Sequence, residues 1–234
     1  MSTVSTALQQ ALTMVVAGDP KLVDIVLLSL RVSFSAALIG GAIGLPLGAA
    51  IAVNPFPGRR AVIVVLNGFM GLPSVVVGLA IYLLLSRAGP LGSVAILFTP
   101  QAMVIAQTIL ITPTLAALAR QIVADAWDEY REQLTSLGET RLGAAATLLW
   151  DLRFSLVTIV LAGFGRAASE VGAVMIVGGN IDGVTRVMTT TIALETSKGD
   201  LPLALGLGFV LLAIVLSVNG VAYVVKETAQ RRYG

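Results

Sequence analysis

The sequence predicts an all-α integral membrane protein with five transmembrane helices and an N-terminal interfacial helix. Of its 234 residues, 56% are hydrophobic and 12% are charged, whereas about 25% of the residues in an ordinary globular chain are charged. The apolar runs continue for more than about 18 residues without alternating, which favours helices over a β-barrel. The longest polar interruption lies between Arg120 and Asp151. We therefore expect a helical bundle with one long polar segment outside the hydrocarbon.

The first apolar segment runs from Thr6 to Ala17 and is too short to cross about 30 Å of hydrocarbon. Its Leu8, Leu12 and Val15 are expected to share one face. This pattern is typical of a helix that lies in the membrane interface.

The first predicted span covers about residues 22–53. Gly40, Gly44 and Gly48 recur at intervals of four in its centre, which predicts a ridge of small residues where another helix packs closely. We favour packing over a role in a transport pathway for this ridge. Pro46 is expected to kink the helix.

The second predicted span covers about residues 61–86 and has no charge, but four glycine or proline residues interrupt it between positions 68 and 78. Such residues free backbone polar groups, which are tolerated at membrane depth where the helix lines protein or water. Asn67, Pro73 and Ser74 are therefore candidates for a polar pathway. The alternative is a kinked helix that only packs.

The third predicted span covers about residues 101–119 and the fourth about residues 154–177. The fourth contains Arg166 and Glu170, and each charge costs about 2.5–3.5 kcal/mol on insertion scales. Their spacing of four residues would let them pair on one helix face. The sequence leaves open whether they form a structural ion pair or act in a gate or substrate path.

A polar stretch at residues 178–200 separates the fourth span from the fifth, which covers about residues 201–225. We expect a loop or re-entrant hairpin there, with Arg186 beside Thr189 and Thr190 as further candidates for the translocation path or gate. No internal repeat or separate soluble domain is visible, so the sequence predicts a single transmembrane domain over residues 1–234.

The polar segment at about residues 120–153 mixes charged and apolar residues at helical spacing. We expect two short helices with a turn at Gly138, lying on the membrane face and docking a partner. The predicted apolar stripe consists of Leu134, Leu137, Leu142 and Ala145. The predicted solvated face consists of Arg131, Glu132, Glu139 and Arg141.

Several classes of function lack the residues they need. The chain has no cysteine and no histidine, so the common zinc and haem ligands and thiol chemistry are missing, and we predict neither a catalytic residue nor a metal site. It also has no G-x4-GK[ST] phosphate-binding loop. Its net charge of +2 gives no reason to expect nucleic acid as a partner.

The basic residues predict the orientation, because Lys and Arg collect on the cytoplasmic side of membrane proteins. With five spans, one face collects more basic residues than the other, which places the polar segment and the C-terminus in the cytoplasm and the N-terminus outside. The residues on the richer face are Arg59, Arg60, Arg120, Arg131, Arg141, Arg153, Lys226, Arg231 and Arg232.

The polar segment resembles the EAA loop of ABC-importer permeases, in which Glu-Ala-Ala is followed by three residues and Gly. Glu132 and Gly138 fall on this spacing, although Gln133 and Leu134 replace the alanines and Asp151 replaces a proline. Longer stretches are also similar to these permeases, and the chain resembles the molybdate, sulfate and tungstate branch, most of all tungstate importers. The most telling stretches are SLRVSFSAALIGGAIGLPLG, GLPSVVVGLAIYLLLSRAGPLG, GRAASEVGAVMIVGGNI and TRVMTTTIALETSKGD.

The resemblance implies a permease in the inner or plasma membrane of a prokaryote. Two copies would pair, a cytoplasmic ATPase dimer would bind ATP and Mg, and an external oxyanion-binding protein would deliver the substrate. The permease would not be an enzyme by itself and would bind no cofactor. The residues implied to couple to the ATPase are Glu132, Leu134, Leu137, Gly138 and Leu142.

Other substrates and other classes remain open at this stage. Molybdate or sulfate could replace tungstate in the same machine. A passive channel or a scaffold protein would leave the docking segment without a partner, and an intramembrane enzyme would need a catalytic pair that the spans do not offer.

Overall fold

A computed structural model describes the backbone of residues 2–233 and the side chains of residues 6–224 and 227. Lys226, Arg231 and Arg232, which contribute to the predicted orientation, lie outside the residues whose side chains are described. Within the described backbone the chain is helical and contains no strand. Its helices are α1 (Ser2–Ala17), α2 (Pro20–Val53), α3 (Arg59–Phe69), α4 (Ser74–Leu85), a 3-10 turn (Gly92–Val94), α5 (Pro100–Ser136), α6 (Arg141–Asp151), α7 (Arg153–Ala168), α8 (Gly172–Gly178), α9 (Met188–Lys198) and α10 (Leu201–Tyr233).

Three continuous helices are long and apolar enough to cross a membrane, namely α2, α5 and the Leu201–Val224 part of α10. Two bent pairs also pass this test, and the total reaches five if each pair is one span. The all-α membrane fold is therefore confirmed. The predicted second and fourth spans, however, are not single continuous helices.

The second predicted span is divided between α3 and α4, which are bent by 98°. Pro73 precedes α4; proline lacks an N–H group and disfavours helical conformation in the residue before it, so the chain turns here. Gly78, which the sequence predicts as a further interruption, lies inside α4. A Cβ at Gly78 would lie 2.7 Å from the Cα of Ala173, so this glycine permits close packing of α4 on α8.

The fourth predicted span, about residues 154–177, is interrupted within its length. Its first part is α7, which is bent by 75° from α6. Helix α7 ends at Ala168, and a non-helical link at residues 169–171 leads into the short α8. The stretch at residues 188–198, which the sequence predicts as part of a loop or hairpin, is the helix α9.

The N-terminal helix α1 buries Ala7 and Ala11, whereas Leu8 and Leu12 are exposed. Val15 packs against a cluster of buried residues that includes Leu207. In this continuous helix the spacing of Leu8, Leu12 and Val15 keeps them on one face, and that face packs against the buried cluster at Val15 while Leu8 and Leu12 are exposed. The small alanines allow α1 to pack on its neighbours, and the two leucines stay on the outside.

The chain divides into two compact units, each built from three separate segments of the sequence. Unit 1 comprises Met1–Ser35, Pro73–Gln107 and Gly165–Val218. Unit 2 comprises Ala36–Leu72, Thr108–Phe164 and Asn219–Gly234. The predicted docking segment lies wholly in unit 2.

The predicted glycine ridge is confirmed in unit 2, where it faces α5. A Cβ at Gly40 would lie 3.0 Å from Ile111 Cγ1. A Cβ at Gly44 would lie 3.0 Å from the carbonyl oxygen of Thr112, and one at Gly48 would lie 2.8 Å from the backbone nitrogen of Arg120. At Gly44 and Gly48 the two helices therefore touch backbone to backbone, which only glycine allows there.

We predict that Gly44→Val destabilises the protein by about 1–3 kcal/mol, the usual cost of overpacking a well-packed interface. Thermal unfolding of the purified protein in detergent measures this effect. Gly208→Val is the matched control, because it adds the same side chain to the apolar helix α10 where no atom lies within 4 Å of a Cβ. Equal stability of the two variants would contradict the assignment of the ridge as the α2–α5 contact.

Candidate functional site

The predicted docking segment has a turn at Gly138, as expected. The first of its helices is not a separate short helix, however, because α5 continues for 37 residues to Ser136. Gly138 has a φ of 79°, a left-handed conformation that favours glycine. The backbone N–H of Glu139 donates to the carbonyl of Leu134 at 3.1 Å, which closes the end of α5.

Helix α6 begins directly after this turn. Thr140 is its N-cap residue, and the Thr140 side-chain oxygen accepts a hydrogen bond from the backbone N–H of Gly143 at 3.1 Å. This satisfies one of the donors that the first turn of a helix leaves unpaired. The short turn between α5 and α6 is therefore held by a hydrogen bond on each side.

The predicted apolar stripe divides into a buried half and an exposed half. Leu134 is 9% exposed and Ala145 is 7% exposed, and both belong to a hydrophobic cluster with Ala49 and Val53 of α2. Leu137 and Leu142 are each 73% exposed. The prediction of a single partner-facing stripe is wrong, because the end of α2 already covers half of it.

The exposed surface around the turn consists of Leu137, Gly138, Glu139 and Leu142, which we call the docking turn. Glu132 lies beside it and lines a groove of about 810 Å³ in unit 2. The groove is rich in charged side chains, which suits a protein surface in water. Its charged residues are Arg59, Asp128, Arg131, Glu132 and Arg141.

Side chains from the loop after α2, from α3 and from α6 bind the carbonyl groups at the C-terminal end of α2. The carbonyls at the end of a helix have no partner within the helix and carry partial negative charge. Asn54 Nδ2 donates to the carbonyl of residue 50 at 2.9 Å, and Arg59 Nε and Nη2 donate to the carbonyls of residues 51 and 52 at 2.8 Å each. Arg141 Nη1 donates to the carbonyl of residue 53 at 3.2 Å, which ties α6 to α2.

Arg166 and Glu170 do not share a helix face. Arg166 lies in the last turn of α7, whereas Glu170 follows the end of that helix. One Glu170 carboxylate oxygen, Oε1, accepts a hydrogen bond from the backbone N–H of Ala173 at 3.1 Å, at the start of α8. The helical spacing on which the predicted pairing depended is therefore absent.

The threonines expected along the path are buried in unit 1 and make hydrogen bonds within the chain. Thr189 Oγ1 donates to the carbonyl of Glu170 at 2.8 Å. Thr190 Oγ1 donates to the carbonyl of Val187 at 3.1 Å and accepts from the Val187 N–H at 3.2 Å. These hydroxyls hold the beginning of α9 in place.

Arg186 forms an ion pair with Asp182 at 2.9 Å, and its side chain is only 13% exposed. It borders a second groove of about 860 Å³, which lies in unit 1. Lys21 and Arg31 of α2 line the same groove, together with Asp24 and Asp182. The groove therefore combines charges of both signs.

Of the remaining path candidates, Asn67 is exposed near the end of α3 and belongs to unit 2. Pro73 and Ser74 belong to unit 1. Ser74 packs against α8, because a Cβ at Gly172 would lie 2.8 Å from Ser74 Oγ. Ser74 thus lies beside the start of α8 in unit 1, where Thr189 also bonds to the carbonyl of Glu170, whereas Asn67 belongs to unit 2.

Ser29 is a structural residue that sequence reasoning missed. It is 5% exposed, and its hydroxyl oxygen accepts the backbone N–H of Met188 at 2.8 Å, at the start of α9. The two residues are 159 positions apart. No local pattern in the sequence signals such a contact.

Among the residues that the structure describes, no group of His, Cys, Asp and Glu side chains is arranged to hold a metal ion. The described residues form apolar helices of membrane length and an exposed docking turn. Such a surface suits contact with another protein.

Comparison with known proteins finds relatives that match most of the chain. The chain is 41% identical over 218 residues to the probable anion ABC transporter permease protein of Haloferax volcanii, covering 91% of this chain and 94% of that protein. It is 40% identical over 227 residues to the tungstate uptake system permease protein TupB of Peptoclostridium acidaminophilum, covering 97% and 100%. The sulfate transport system permease protein CysT of Escherichia coli is 26% identical over 227 residues, covering 92% and 79%.

No family model matches the chain. The first two relatives exceed 30% identity over almost their whole length, and among the described residues the chain has three helices long and apolar enough to cross a membrane. The chain is therefore a multi-pass membrane protein, and it belongs to the ABC transporter permease proteins, in the group that includes the anion permease and the tungstate uptake permease TupB.

Proposed function

We propose that this chain is the permease subunit of an ATP-driven importer that takes up tungstate. The observation that carries the proposal is the 40% identity to a tungstate uptake permease over 97% of the chain and the whole of that relative. A second tungstate uptake permease, from Campylobacter jejuni, is 35% identical over 73% of the chain. Sulfate permeases are more distant at 24–30% identity, which favours tungstate over sulfate. Molybdate is the remaining alternative within the same machine.

We propose that the docking turn is the contact for a cytoplasmic ATPase dimer. Leu137 and Leu142 are exposed apolar side chains next to charged residues, a combination that suits a protein interface. Leu134 lies behind the turn in the hydrophobic cluster and would transmit a movement rather than touch the ATPase. Glu132 would contribute from the adjoining charged groove.

A movement at the docking turn would reach α2 by two contacts. Leu134 and Ala145 pack in one cluster with Val53, and Arg141 binds the Val53 carbonyl. Because these contacts are tight, the turn and the end of α2 would move together. ATP binding and hydrolysis would then shift the permease between two conformations by binding one of them more strongly.

The path or gate candidates receive different proposed roles. Asn67 and Arg166 are exposed and are the first choices for contact with a substrate. Glu170, Ser74, Thr189 and Thr190 would position the elements around α8, since their polar groups pack or bond within the chain. Pro73 would maintain the bend before α4, and Arg186 would act through its pairing with Asp182.

We further propose the subunit composition and the orientation. Two copies of the chain, each a single transmembrane domain over residues 1–234, would pair with the ATPase dimer, which alone would bind ATP and Mg. An external binding protein would deliver the oxyanion. The docking turn and the C-terminus would face the cytoplasm, and the N-terminus would lie outside in the cell membrane of a prokaryote.

The deciding experiment is reconstitution of the permease with its ATPase in proteoliposomes, with binding protein and tungstate added outside. We expect ATP-dependent tungstate uptake and ATP hydrolysis stimulated by the loaded binding protein. Molybdate and sulfate are tested as competitors. Passive, ATP-independent flux would favour a channel, failure of any ATPase to co-purify would favour a scaffold, and stronger competition by molybdate or sulfate would change the substrate.

We predict that Leu142→Asp lowers ATPase co-purification and ATP-dependent uptake strongly, because it places a charge in the exposed apolar part of the docking turn. Membrane abundance should stay normal, since Leu142 is not part of the core. Gln121→Asp is the control, because it adds the same charge at an exposed position of α5 away from the turn. Full uptake by a normally expressed Leu142→Asp variant would remove the turn from the ATPase contact.

The backbone at Gly138 provides a separate prediction. Valine in a left-handed conformation costs about 1–2 kcal/mol, so Gly138→Val should distort the turn and reduce coupled uptake, although no atom lies within 4 Å of a Cβ there. Asparagine tolerates this conformation, and Gly138→Asn should therefore retain most of the activity. Equal uptake by the two variants would show that the conformation of the turn is unimportant.

The proposed orientation predicts which sites react with a membrane-impermeant thiol reagent. Thr196→Cys should react from outside intact cells, whereas Glu139→Cys should react only after the membrane is opened. Both positions are exposed, and the chain has no other cysteine, so the background is zero. The reverse pattern would invert the topology.

A further inference from the structure

An apolar groove of about 580 Å³ lies in unit 2 along α2 and α7, with the end of α6 at one side. Almost every side chain that lines it is a hydrocarbon, and Arg153 is the charged exception among them. The residues from α2 are Leu38, Gly41, Ala42, Leu45 and Pro46, and the others are Leu149, Arg153, Leu156, Val157, Val160 and Leu161.

Small residues make room for this groove. Gly41 has no side chain, and a Cβ there would lie 3.1 Å from Val160 Cγ2 of α7. Ala42 follows it with a single methyl group and is exposed. The rims carry longer apolar side chains, including Leu38 and Val157, which are also exposed. The groove thus opens to the surroundings of the protein, which are lipid for these membrane segments.

Arg153 is held by two aromatic rings. Its guanidinium carbon lies 5.0 Å from the centre of the Trp150 ring and 4.7 Å from the centre of the Phe154 ring. Its Nη1 donates to the carbonyl of Trp150 at 2.8 Å. A guanidinium has five N–H donors in a planar fork, and this geometry matches the oxygens of a phosphate group.

Trp150 is 70% exposed, and Trp and Arg residues gather where a membrane meets water. The groove therefore has one cationic, aromatic end and an apolar remainder. An amphiphile with a single anionic end and a hydrocarbon chain matches this distribution of charge.

We propose that this groove binds an anionic phospholipid, with an acyl chain along α2 and α7 and the phosphate at Arg153. Basic side chains beside membrane helices bind anionic head groups in this way. The proposal depends on the membrane location of the chain and not on its substrate or its ATPase. It therefore stands or fails separately from the proposed import of tungstate.

The fluorescence of Trp150 reports lipid binding in the groove. The chain has two tryptophans, so a Trp127→Phe background leaves Trp150 as the only one. The protein is placed in phosphatidylcholine vesicles with small, equal amounts of either phosphatidylglycerol or phosphatidylcholine whose acyl chains carry bromine, which quenches nearby tryptophan. Relative binding of the two lipids follows from the concentrations that give half-maximal quenching.

We expect phosphatidylglycerol to bind about fivefold more strongly than phosphatidylcholine, as one basic residue near an anionic head group would produce. Arg153→Gln should abolish this preference. Arg60→Gln is the matched control, since it removes an exposed arginine of unit 2 outside the groove. It should keep the preference.

A second variant tests the apolar part and leaves the arginine in place. Ala42→Phe should fill the groove and reduce quenching by both lipids, while thermal unfolding checks that the fold is kept. Equal binding of the two lipids by the unaltered groove, or a preference that survives Arg153→Gln, would overturn the proposal. So would efficient disulfide formation between two copies carrying Val157→Cys, because the groove would then be an interface between permeases.

Discussion

The close approach of α2 and α5 at Gly40, Gly44 and Gly48 is the contact on which unit 2 depends. Lipid tails are as apolar as leucine, so hydrophobic burial does little to bring membrane helices together, and van der Waals packing must do it. Glycine permits that packing because it lets two backbones touch. Beyond the ridge, Ala49 and Val53 of α2 lie in one cluster with Val123 of α5, so the same contact aligns the ends that support the docking segment.

This alignment makes the docking segment part of the membrane helices. Its first helix is the continuation of α5, and Arg141 at the start of its second helix binds a carbonyl at the end of α2. The arginine satisfies an acceptor that the helix itself leaves unpaired and also opposes the negative end of the helix dipole. The two helices that flank the docking turn are thus joined to the end of α2 by a packed cluster and a hydrogen bond.

The sequence predicted the features that depend on composition and on special residues. Hydrophobic content predicted the membrane fold, the spacing of glycines predicted the α2–α5 contact, and Gly138 predicted the turn. The polar residues after position 119 led to the wrong prediction of a separate short helix where α5 continues. Charged residues indicate contact with water and do not by themselves end a helix. The break at residues 169–171 contains neither glycine nor proline, so it gave no local signal, and the apparent pairing of Arg166 with Glu170 followed from assuming a continuous helix.

The candidate path residues illustrate why polar side chains in a membrane protein need their partners identified before they are assigned to transport. Thr189 and Thr190 looked suited to an oxyanion, but their hydroxyls bond to backbone groups of the chain. An oxyanion would have to displace those bonds and leave a buried carbonyl unpaired, which costs about 1–3 kcal/mol for each group. In this conformation the hydroxyls of the two threonines therefore stabilise the beginning of α9.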